Sequence, residues 1–292
     1  MEKFGGVSIV LTKDEGGESV ITELVQRDFY KCMNLLNEQG QLEAKAIVMG
    51  VNPGRIFVDD FVTPKSGLIW LGNNDGFMLI GDECNTQFNE ELNPFIDDVI
   101  LPEAKKFGLK WFEVIGNHEG WNDTIERLFE HRSLSSWNQK VYTLEKQHYK
   151  CEREPLLPEG YSVQKVNKSF YENQTVQNMD FLHNIIDEFW ASPTRFFKEG
   201  IAYGIVFDNK LVSLCFSGFV VENIHCVGIE TLENYQGKKL AQVLAHTYVK
   251  DCFENNLVPY WDCMEGNKPS VAIAEKLGFS NTLNYIGYEF SI

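Results

Sequence analysis

Apolar and polar residues alternate along the first half of the chain with two different periods. Helical spacing of the apolar residues predicts helices over "RDFYKCMNLLNEQ", "NPFIDDVILPEAKKFG" and "WNDTIERLFEH". Runs rich in β-branched and aromatic residues predict strands over "GRIFVDD", "SGLIWLG", "GFMLIGD", "KWFEVIG" and "KVYTLE". The residues "NND" between the second and third of these strands predict a hairpin turn. This mixed α/β pattern contains no glycine-rich phosphate loop.

The second half carries a clearer version of the same mixture. Strands are predicted over "YSVQKV", "IAYGIVF", "LVSLCFSGFV", "IHCVGIET", "VPYWDC" and "YIGYEF". Helices are predicted over "MDFLHNIIDEFW", "PTRFFKEG" and "NKPSVAIAEKLG". One further helix is predicted where Leu240, Val243, Leu244, Thr247 and Tyr248 recur at helical spacing. The chain therefore runs through a strand, a loop and a helix across "NYQGKKLAQVLA", residues 234–245.

A polar stretch separates the two halves. Residues 151–160, "CEREPLLPEG", combine proline, glycine and charge, which is a usual composition for a linker. The chain has 292 residues, 43% of them hydrophobic, which is enough for two cores of about 100–150 residues each. We predict one domain over residues 1–152 and a second over 158–292.

The charge of the chain limits its partners. With 26 basic and 42 acidic residues, the formal net charge is −16. Such a chain lacks the clustered lysine and arginine that nucleic acid binding uses, so we expect no nucleic acid partner. The same charge attracts small cations such as amines.

Cysteine usage and hydropathy predict where the protein works. Seven cysteines are scattered without a C-x-x-C pair, which predicts reduced thiols and no metal site. No apolar run approaches the roughly 20 residues of a membrane span, and "MEKFGGVSIVLTKDEGG" lacks the long apolar core of a signal peptide. We expect a cytoplasmic protein with no membrane partner, and the pattern leaves a homodimer open.

The loop before the long helix is the strongest candidate site. Amides at a helix N-terminus are free donors at the positive end of the helix dipole, so the turn from Gln236 to Ala241 can bind a pyrophosphate through its backbone. Gly237 lets the backbone approach a ligand closely. An ordinary strand-to-helix turn with a glycine is the alternative for this loop taken alone.

Two ordered signatures resemble those of the GCN5-related N-acetyltransferase (GNAT) superfamily. Its Gln/Arg-x-x-Gly-x-Gly/Ala loop is similar to residues 236–241, with Lys239 in place of a second glycine. Its second signature, which ends in Leu-Gly-Phe, is similar to residues 267–279. Longer stretches resemble a two-domain bacterial subgroup that includes acetyltransferases of the zwittermicin-resistance type: "GRIFVDDFVTPKSGLIWLG", "FWASPTRFFKEGIAYGIV", "GIETLENYQGKKLA" and "WDCMEGNKPSVAIAEKLGF".

The resemblance implies a fold, an activity and a set of residues. The fold is a mixed, mostly antiparallel GNAT sheet flanked by helices, with a degenerate GNAT-like amino-terminal domain. The activity is direct transfer of an acetyl group from acetyl-CoA to the amine of a small acceptor. The residues expected to bind acetyl-CoA are Thr231, Gln236, Gly237, Lys238, Lys239, Leu240, Ala241, Asn267 and Ser270. Asn267 and Ser270 could instead only cap their helix. Lysine at position 239 should cost little if its backbone is helical.

Acetyl transfer to an amine needs a base for the acceptor and an acid for the leaving thiolate. Glu230 is the first candidate base, Asp262 the second, and Glu222 a distant third. The wider superfamily often carries a tyrosine four residues before the glycine of Leu-Gly-Phe, where this chain has Ala274. The role of the acid then falls to Tyr285, to Tyr288, to Cys263, to water, or to no group at all.

Two other functions compete with acetyl transfer. A non-catalytic acyl-CoA-binding or regulatory protein is favoured by Lys239 and by Ala274. Aminoacyl transfer from tRNA is the third interpretation, and the net charge of −16 speaks against it. Turnover of acetyl-CoA separates the first two.

Overall fold

The computed structural model describes residues 21–72 and 76–292. The chain forms two compact units: the first runs to Trp137 and takes in Ile286–Ile292, and the second is Asn138–Tyr285. The division therefore lies elsewhere than the expected linker at 151–160. That segment belongs to the second unit, because its polar groups find partners there: Gln242 Nε2 donates to the Arg153 carbonyl at 2.9 Å, and the Lys250 ammonium pairs with the Glu154 carboxylate.

The first unit is a mostly antiparallel sheet with helices. Its strands are β1 (Thr22–Leu24), β2 (Gly54–Val58), β3 (Ser66–Leu71), β4 (Gly76–Gly81) and β5 (Trp111–Gly116). Its helices are α1 (Leu42–Val48), α2 (Thr86–Phe95), α3 (Leu101–Lys106) and α4 (Trp121–Leu128), with a 3₁₀ helix over Gln26–Leu35. Neighbouring strands follow chain order from β1 to β5, and residues 287–291 pair with β5. Among the strand pairs described for residues 21–72 and 76–137 of this unit and its last segment, β4 and β5 are the parallel pair.

Two long strands contain the points where the units divide. These are β6 (Ser135–Thr143) and the last strand of the chain, Ser280–Ser291. The other strands of the second unit are β7 (Tyr161–Lys165), β8 (Ala202–Phe207), β9 (Lys210–Val221), β10 (Ile224–Thr231) and β11 (Val258–Met264), so that Ser280–Ser291 is β12. The helices of this unit are α5 (Lys168–Tyr171), α6 (Asp180–Phe189), α7 (Pro193–Glu199), α8 (Leu240–Glu254) and α9 (Lys268–Leu277). The strand order is β6-β11-β10-β9-β8-β7, with β10 and β11 parallel.

Each unit has its own core. In the first unit the Phe112 ring stacks on Phe77 at 4.2 Å and on Phe290 at 4.9 Å, between ring centroids. In the second unit the buried face of α8, which includes Leu240 and Tyr248, packs with Trp261 and other apolar side chains of the sheet. The predicted mixed, mostly antiparallel sheet with flanking helices is confirmed.

Most predicted elements are present, and the exceptions have physical reasons. The sequence pattern did not predict α1, because residues buried on several sides of this short helix give no polar stripe. The single helix predicted over 93–108 is divided by a π-helical turn at Ile96–Ile100. The helix predicted over 27–39 is 3₁₀. The predicted turn "NND" lies outside the described residues. Among the helices described, none is long and apolar enough to cross a membrane.

Candidate functional site

The two parallel strands of the second unit separate along their length. In the part of the chain that the structure describes, β10 pairs with β11 only through Ile224–Val258, His225–Pro259 and Cys226–Tyr260. Both strands continue beyond these pairs, β10 to Thr231 and β11 to Met264. The pairing of β10 with β9 is irregular between His225 and Val227, which is where the separation begins. The result is a gap between the carboxyl ends of two adjacent strands, a common place for a ligand in an α/β sheet.

The backbone of β10 offers hydrogen-bonding groups to this gap. The Leu232 N–H donates to the Val212 carbonyl at 3.0 Å, which continues the register of the β9–β10 ladder. Because alternate residues of an antiparallel strand face the same partner, Glu230 also points its backbone groups toward β9. Ile229 and Thr231 point theirs the other way, toward the gap.

The loop after β10 changes direction through two left-handed residues. Gly237 has φ 76° and Lys239 has φ 63°. A Cβ added at Gly237 would meet no atom within 4 Å, so open space lies in front of this residue. Residues 236–239 are exposed, whereas Leu240, the first residue of α8, is buried. The loop thus presents its backbone to solvent while the helix that follows is anchored in the core.

The prediction that Lys239 has a helical backbone is wrong. Lys239 is the residue that caps the N-terminus of α8, with φ 63° and ψ 17°. A left-handed conformation brings the Cβ of an L-residue close to its own carbonyl and costs about 1–2 kcal/mol. The loop therefore keeps the geometry that a second glycine would give, and the lysine bears a strain that glycine would not.

The start of α8 can bind an anion. The Val243 N–H donates to the Lys239 carbonyl at 3.1 Å and is the first rung of the helical ladder. The amides of Leu240, Ala241 and Gln242 precede this rung and have no acceptor within an α-helix. They lie at the positive end of a helix of 15 residues. The Lys238 ammonium contacts the Asn234 carbonyl at 3.3 Å and keeps a positive charge beside the loop.

Other predicted binding residues have partners inside the protein. Gln236 Nε2 donates to the Thr231 carbonyl at 3.1 Å, which ties the loop to the end of β10. Asn267 Oδ1 accepts the Ser270 N–H at 3.2 Å and so caps α9. Ser270 Oγ accepts from Trp261 Nε1 at 3.0 Å. Asn267 and Ser270 therefore have the local role that capping residues usually have, and Trp261 lies in the core beneath α9.

The two candidate bases share one face of the sheet. Val227, Trp261 and Cys263 belong to the core that packs against α8 and α9. Successive side chains of a strand point to opposite faces, so Glu230, three residues after Val227, points away from that core. Asp262 lies between Trp261 and Cys263 and points to the same face as Glu230. The structure thus brings both carboxylates to the sheet face beside the gap.

Glu230 has the electrostatics of a base. Its side chain reaches solvent, but the surrounding protein atoms remove part of its hydration and raise the pKa of its carboxyl above the ordinary value. A carboxylate with a raised pKa accepts a proton more readily near neutral pH. Glu222 lies in the turn before β10 with φ 55°, at the opposite end of the strand.

The candidate acids fall into different environments. The Tyr285 hydroxyl donates to Asp262 Oδ2 at 2.7 Å, and both residues belong to the second unit. Tyr288 belongs to the first unit, where its hydroxyl donates to Glu126 Oε1 at 3.0 Å and its ring is buried. Burial raises the pKa of the Cys263 thiol, which lies on the face opposite Asp262. Ala274 is buried in the core of the second unit.

One residue beside the site was missed by the sequence analysis. Ser213 in β9 is fully buried, and its hydroxyl contacts the last two residues of β10. A hydroxyl inside a run as apolar as "LVSLCFSG" must find a hydrogen-bond partner, and this signal was available in the sequence.

The parallel pair of the first unit stays closed. Strands β4 and β5 pair from Gly76–Glu113 to Leu79–Gly116, and the Asn117 N–H then donates to the Leu79 carbonyl at 2.9 Å. The His118 ring contacts the carbonyl of Gly81, the last residue of β4, at 2.9 Å. This pair therefore lacks a gap like that between β10 and β11.

Comparisons with known proteins agree with this geometry. A family model for GNAT acetyltransferases matches residues 33–288. The chain is 25% identical over 272 residues to the uncharacterized N-acetyltransferase YdfB of Bacillus subtilis strain 168, across 92% of this chain and 98% of that protein. Its structure is similar to a GCN5-related N-acetyltransferase-like protein from Streptococcus suis 89/1591, with a TM-score of 0.68, 20% identity, and coverage of 90% and 98% of the two chains. It is also similar to a tandem GNAT protein from the clavulanic acid biosynthesis pathway, with a TM-score of 0.62, 11% identity, and coverage of 93% and 98%. At these identities the two solved structures show a shared fold.

Proposed function

Because the chain belongs to the GNAT acetyltransferase family, we propose that its second unit transfers the acetyl group of acetyl-CoA to the amine of a small, cationic acceptor. Acetyltransferases of this family use acetyl-CoA in general. The observation that carries the proposal is the gap between β10 and β11, which opens after Cys226–Tyr260 and leads to the loop at 236–241.

The groups around the gap fit acetyl-CoA. A pantetheine arm carries two amides, and the backbone of Ile229 and the N–H of Thr231 face the gap and can pair with them. A pyrophosphate needs several convergent N–H donors, and the amides at the start of α8 provide them. Open space in front of Gly237 leaves room for phosphate oxygens. The other predicted contacts are Gln236, Lys238 and Lys239 in the loop before α8, and Asn267 and Ser270 at the start of α9.

When bound, acetyl-CoA supplies an activated thioester. Glu230 then takes a proton from the ammonium of the acceptor, so that a neutral amine is available as the nucleophile. The raised pKa of its carboxyl favours this transfer near neutral pH. The Tyr285 hydroxyl, held by Asp262 at 2.7 Å, is the group we assign to deliver a proton to the departing sulfur. Asp262 is the second candidate base.

Charge argues for a cationic acceptor. Glu230 and Asp262 share one sheet face, and the chain as a whole carries a formal charge of −16. A field of this sign concentrates cations and repels anionic acceptors. Small polyamines and amino sugars have the required chemistry.

A panel of acceptors tests the proposal. Release of free CoA from acetyl-CoA should be measured with polyamines, amino sugars, neutral amino acids and amines that carry a carboxylate or phosphate. We expect turnover to be fastest with acceptors of two or more positive charges and to weaken with added salt. Faster turnover with anionic acceptors would reject the cationic acceptor. Absence of turnover with every acceptor would reject acetyl transfer, and calorimetry would then show whether the protein still binds acetyl-CoA without catalysis.

A further inference from the structure

A single buried hydroxyl holds the end of the strand that carries Glu230. Ser213 lies in β9 with no exposed surface, between the apolar residues Val212 and Leu214. Its Oγ donates to the Glu230 carbonyl at 3.0 Å and lies 2.7 Å from Thr231 Oγ1. Glu230 and Thr231 are the last two residues of β10. One oxygen atom thus contacts both residues at the strand end.

Proton counting fixes the direction of these two hydrogen bonds. A serine hydroxyl has one proton and two lone pairs. Since the Ser213 proton goes to the Glu230 carbonyl, the Thr231 hydroxyl must donate its own proton to Ser213 Oγ. The three groups form a short chain from Thr231 through Ser213 to Glu230. Replacing Ser213 with alanine removes both bonds and leaves the Thr231 hydroxyl without this acceptor.

The strand end needs such a constraint because it has lost one neighbour. In the described residues, pairing with β11 stops at Cys226, so that 227–231 has a partner strand on one side only, and Gln236 Nε2 is its further contact at the Thr231 carbonyl. A strand with a free edge is more mobile than one in the middle of a ladder. The gap that admits a ligand therefore loosens the segment that carries the candidate base.

We propose that Ser213 is a positioning residue, which fixes the backbone of Glu230 and Thr231 so that the Glu230 carboxylate stays directed at the acceptor. This inference rests on the proposed role of Glu230 as the base. Ser213 touches no reacting atom and acts only through the two residues it binds. The loss of its hydroxyl misplaces a catalytic group, and misplacement by about 1 Å can cost on the order of 100-fold in rate.

The chain offers a matched control on the same strand. Ser217 is also fully buried in β9, and its hydroxyl contacts His225 Nδ1 at 2.9 Å and the Tyr248 hydroxyl at 2.8 Å. His225 belongs to the part of β10 that still pairs with β11. Ser217→Ala therefore removes an equally buried hydroxyl from the same strand, and the contacts of this hydroxyl do not include Glu230 or Thr231.

Two measurements on the full chain test the proposal. Hydrogen exchange of the ligand-free protein should show residues 227–232 exchanging at least roughly threefold faster in Ser213→Ala than in Ser217→Ala. In steady-state assays, Ser213→Ala should lower kcat by about tenfold, and this effect should disappear when Glu230→Gln is already present. Ser217→Ala should change kcat by less than about twofold in either background. If the alanine form of Ser213 does not fold, Ser213→Thr keeps the hydroxyl and should retain wild-type exchange at 227–232.

Distinct outcomes separate the failure of this inference from that of the proposed function. An equal loss of kcat from Ser213→Ala with and without Glu230→Gln, or unchanged exchange at 227–232, overturns the positioning role. A wild-type protein that releases no CoA with any amine rejects the proposed function, and the exchange measurement still decides whether Ser213 holds the strand end.

Discussion

The Tyr285 hydroxyl donates its proton to Asp262 Oδ2 across 2.7 Å, and the two side chains lie on the sheet face that also carries Glu230. The next tyrosine of the same strand, Tyr288, donates to Glu126 in the first unit. Tyr285 and Tyr288 are three residues apart, and their hydroxyls therefore donate to carboxylates in different units. Only Tyr285 lies with the candidate base in the second unit, which is why we assign the acid role to it.

We expect Tyr285→Phe to lower kcat by about 10- to 100-fold, because it removes the proton donor while keeping the ring. The KM for acetyl-CoA should change little, since the binding loop is untouched. Steady-state kinetics over a range of acetyl-CoA concentrations checks both values.

Tyr288→Phe is the matched control for this prediction. It should leave kcat within about twofold and lower the free energy of unfolding by about 1 kcal/mol, the usual worth of one hydrogen bond. If both variants lose activity equally, the assignment of Tyr285 fails.

We expect Glu230→Gln to lower turnover by about 100-fold or more while the Kd for acetyl-CoA stays within about twofold. The base acts on the acceptor, and glutamine keeps the size of the side chain without accepting a proton. Desolvation raises the pKa of the wild-type carboxyl, so the active carboxylate forms only above the ordinary range of glutamate. Wild-type kcat should therefore fall as the pH drops through this raised pKa. In Glu230→Gln, kcat should no longer depend on pH in this acidic range.

Glu222→Gln changes the same residue type at the other end of β10 and serves as the control. It should keep both kcat and the acidic limb of the pH profile. A Glu230→Gln enzyme with wild-type rates from pH 6 to 9 would move the base role to Asp262 or to water.

The sequence predicted which elements form the site better than it predicted their local geometry. The order of strand, loop and helix around Gly237 follows from apolar periodicity and glycine placement, and all of it is present. The left-handed backbone of Lys239 could not be predicted, because lysine rarely adopts it and only the path of the chain into α8 imposes it. The gap between β10 and β11 depends on where the two strands stop pairing with each other. The sequence pattern of either strand alone does not specify that point.

The location of Tyr288 shows a second limit. Strand β12 reads as one continuous element in the sequence, so Tyr285 and Tyr288 look equivalent. In the structure the division between the units falls between Tyr285 and Ile286. Contacts between segments that are distant in the chain set such a division, and local patterns carry little information about them.

We expect Lys239→Gly to raise the free energy of unfolding by up to about 1.6 kcal/mol. Glycine relieves the left-handed strain of about 1–2 kcal/mol but loses about 0.4–1 kcal/mol through the greater entropy of the unfolded chain. The Kd for acetyl-CoA should stay within about tenfold, or roughly 1.4 kcal/mol, because backbone amides hold the pyrophosphate. Chemical denaturation and calorimetry measure the two quantities.

Lys238→Gly removes the same charge one residue earlier, where φ is not positive, and should lower stability instead. Gly237→Val places a branched side chain at φ 76° beside the phosphates and should weaken acetyl-CoA binding far more than tenfold. If the native protein binds no acetyl-CoA and Lys239→Gly restores binding, Lys239 prevents the native loop from binding acetyl-CoA and the chain is non-catalytic.

His225 should make the protein less stable in mild acid. Burial lowers the pKa of this residue to about 4, so it stays neutral in the folded state while the unfolded chain takes up a proton below about pH 6.5. The contribution of His225 to the free energy of unfolding is therefore complete above pH 6.5. It decreases progressively, by roughly 3 kcal/mol in all, as the pH falls toward 4. His225→Gln should remove most of this dependence between pH 7 and 5 in urea unfolding. A dependence that persists unchanged would assign it to other groups, such as His246, whose pKa burial also lowers.

We expect the full chain to bind one equivalent of acetyl-CoA, although its described residues form two parallel strand pairs. The pair β10–β11 opens after three residues from each strand, whereas β4–β5 stays paired to Leu79–Gly116 and is closed further by Asn117 and His118. A pantetheine arm needs unpaired strand edges, and in the first unit these groups already have partners. Isothermal titration calorimetry on the intact protein should give a stoichiometry near one. Gly237→Val should then abolish the entire heat signal, and a second site that survives this substitution would show that the first unit also binds acetyl-CoA.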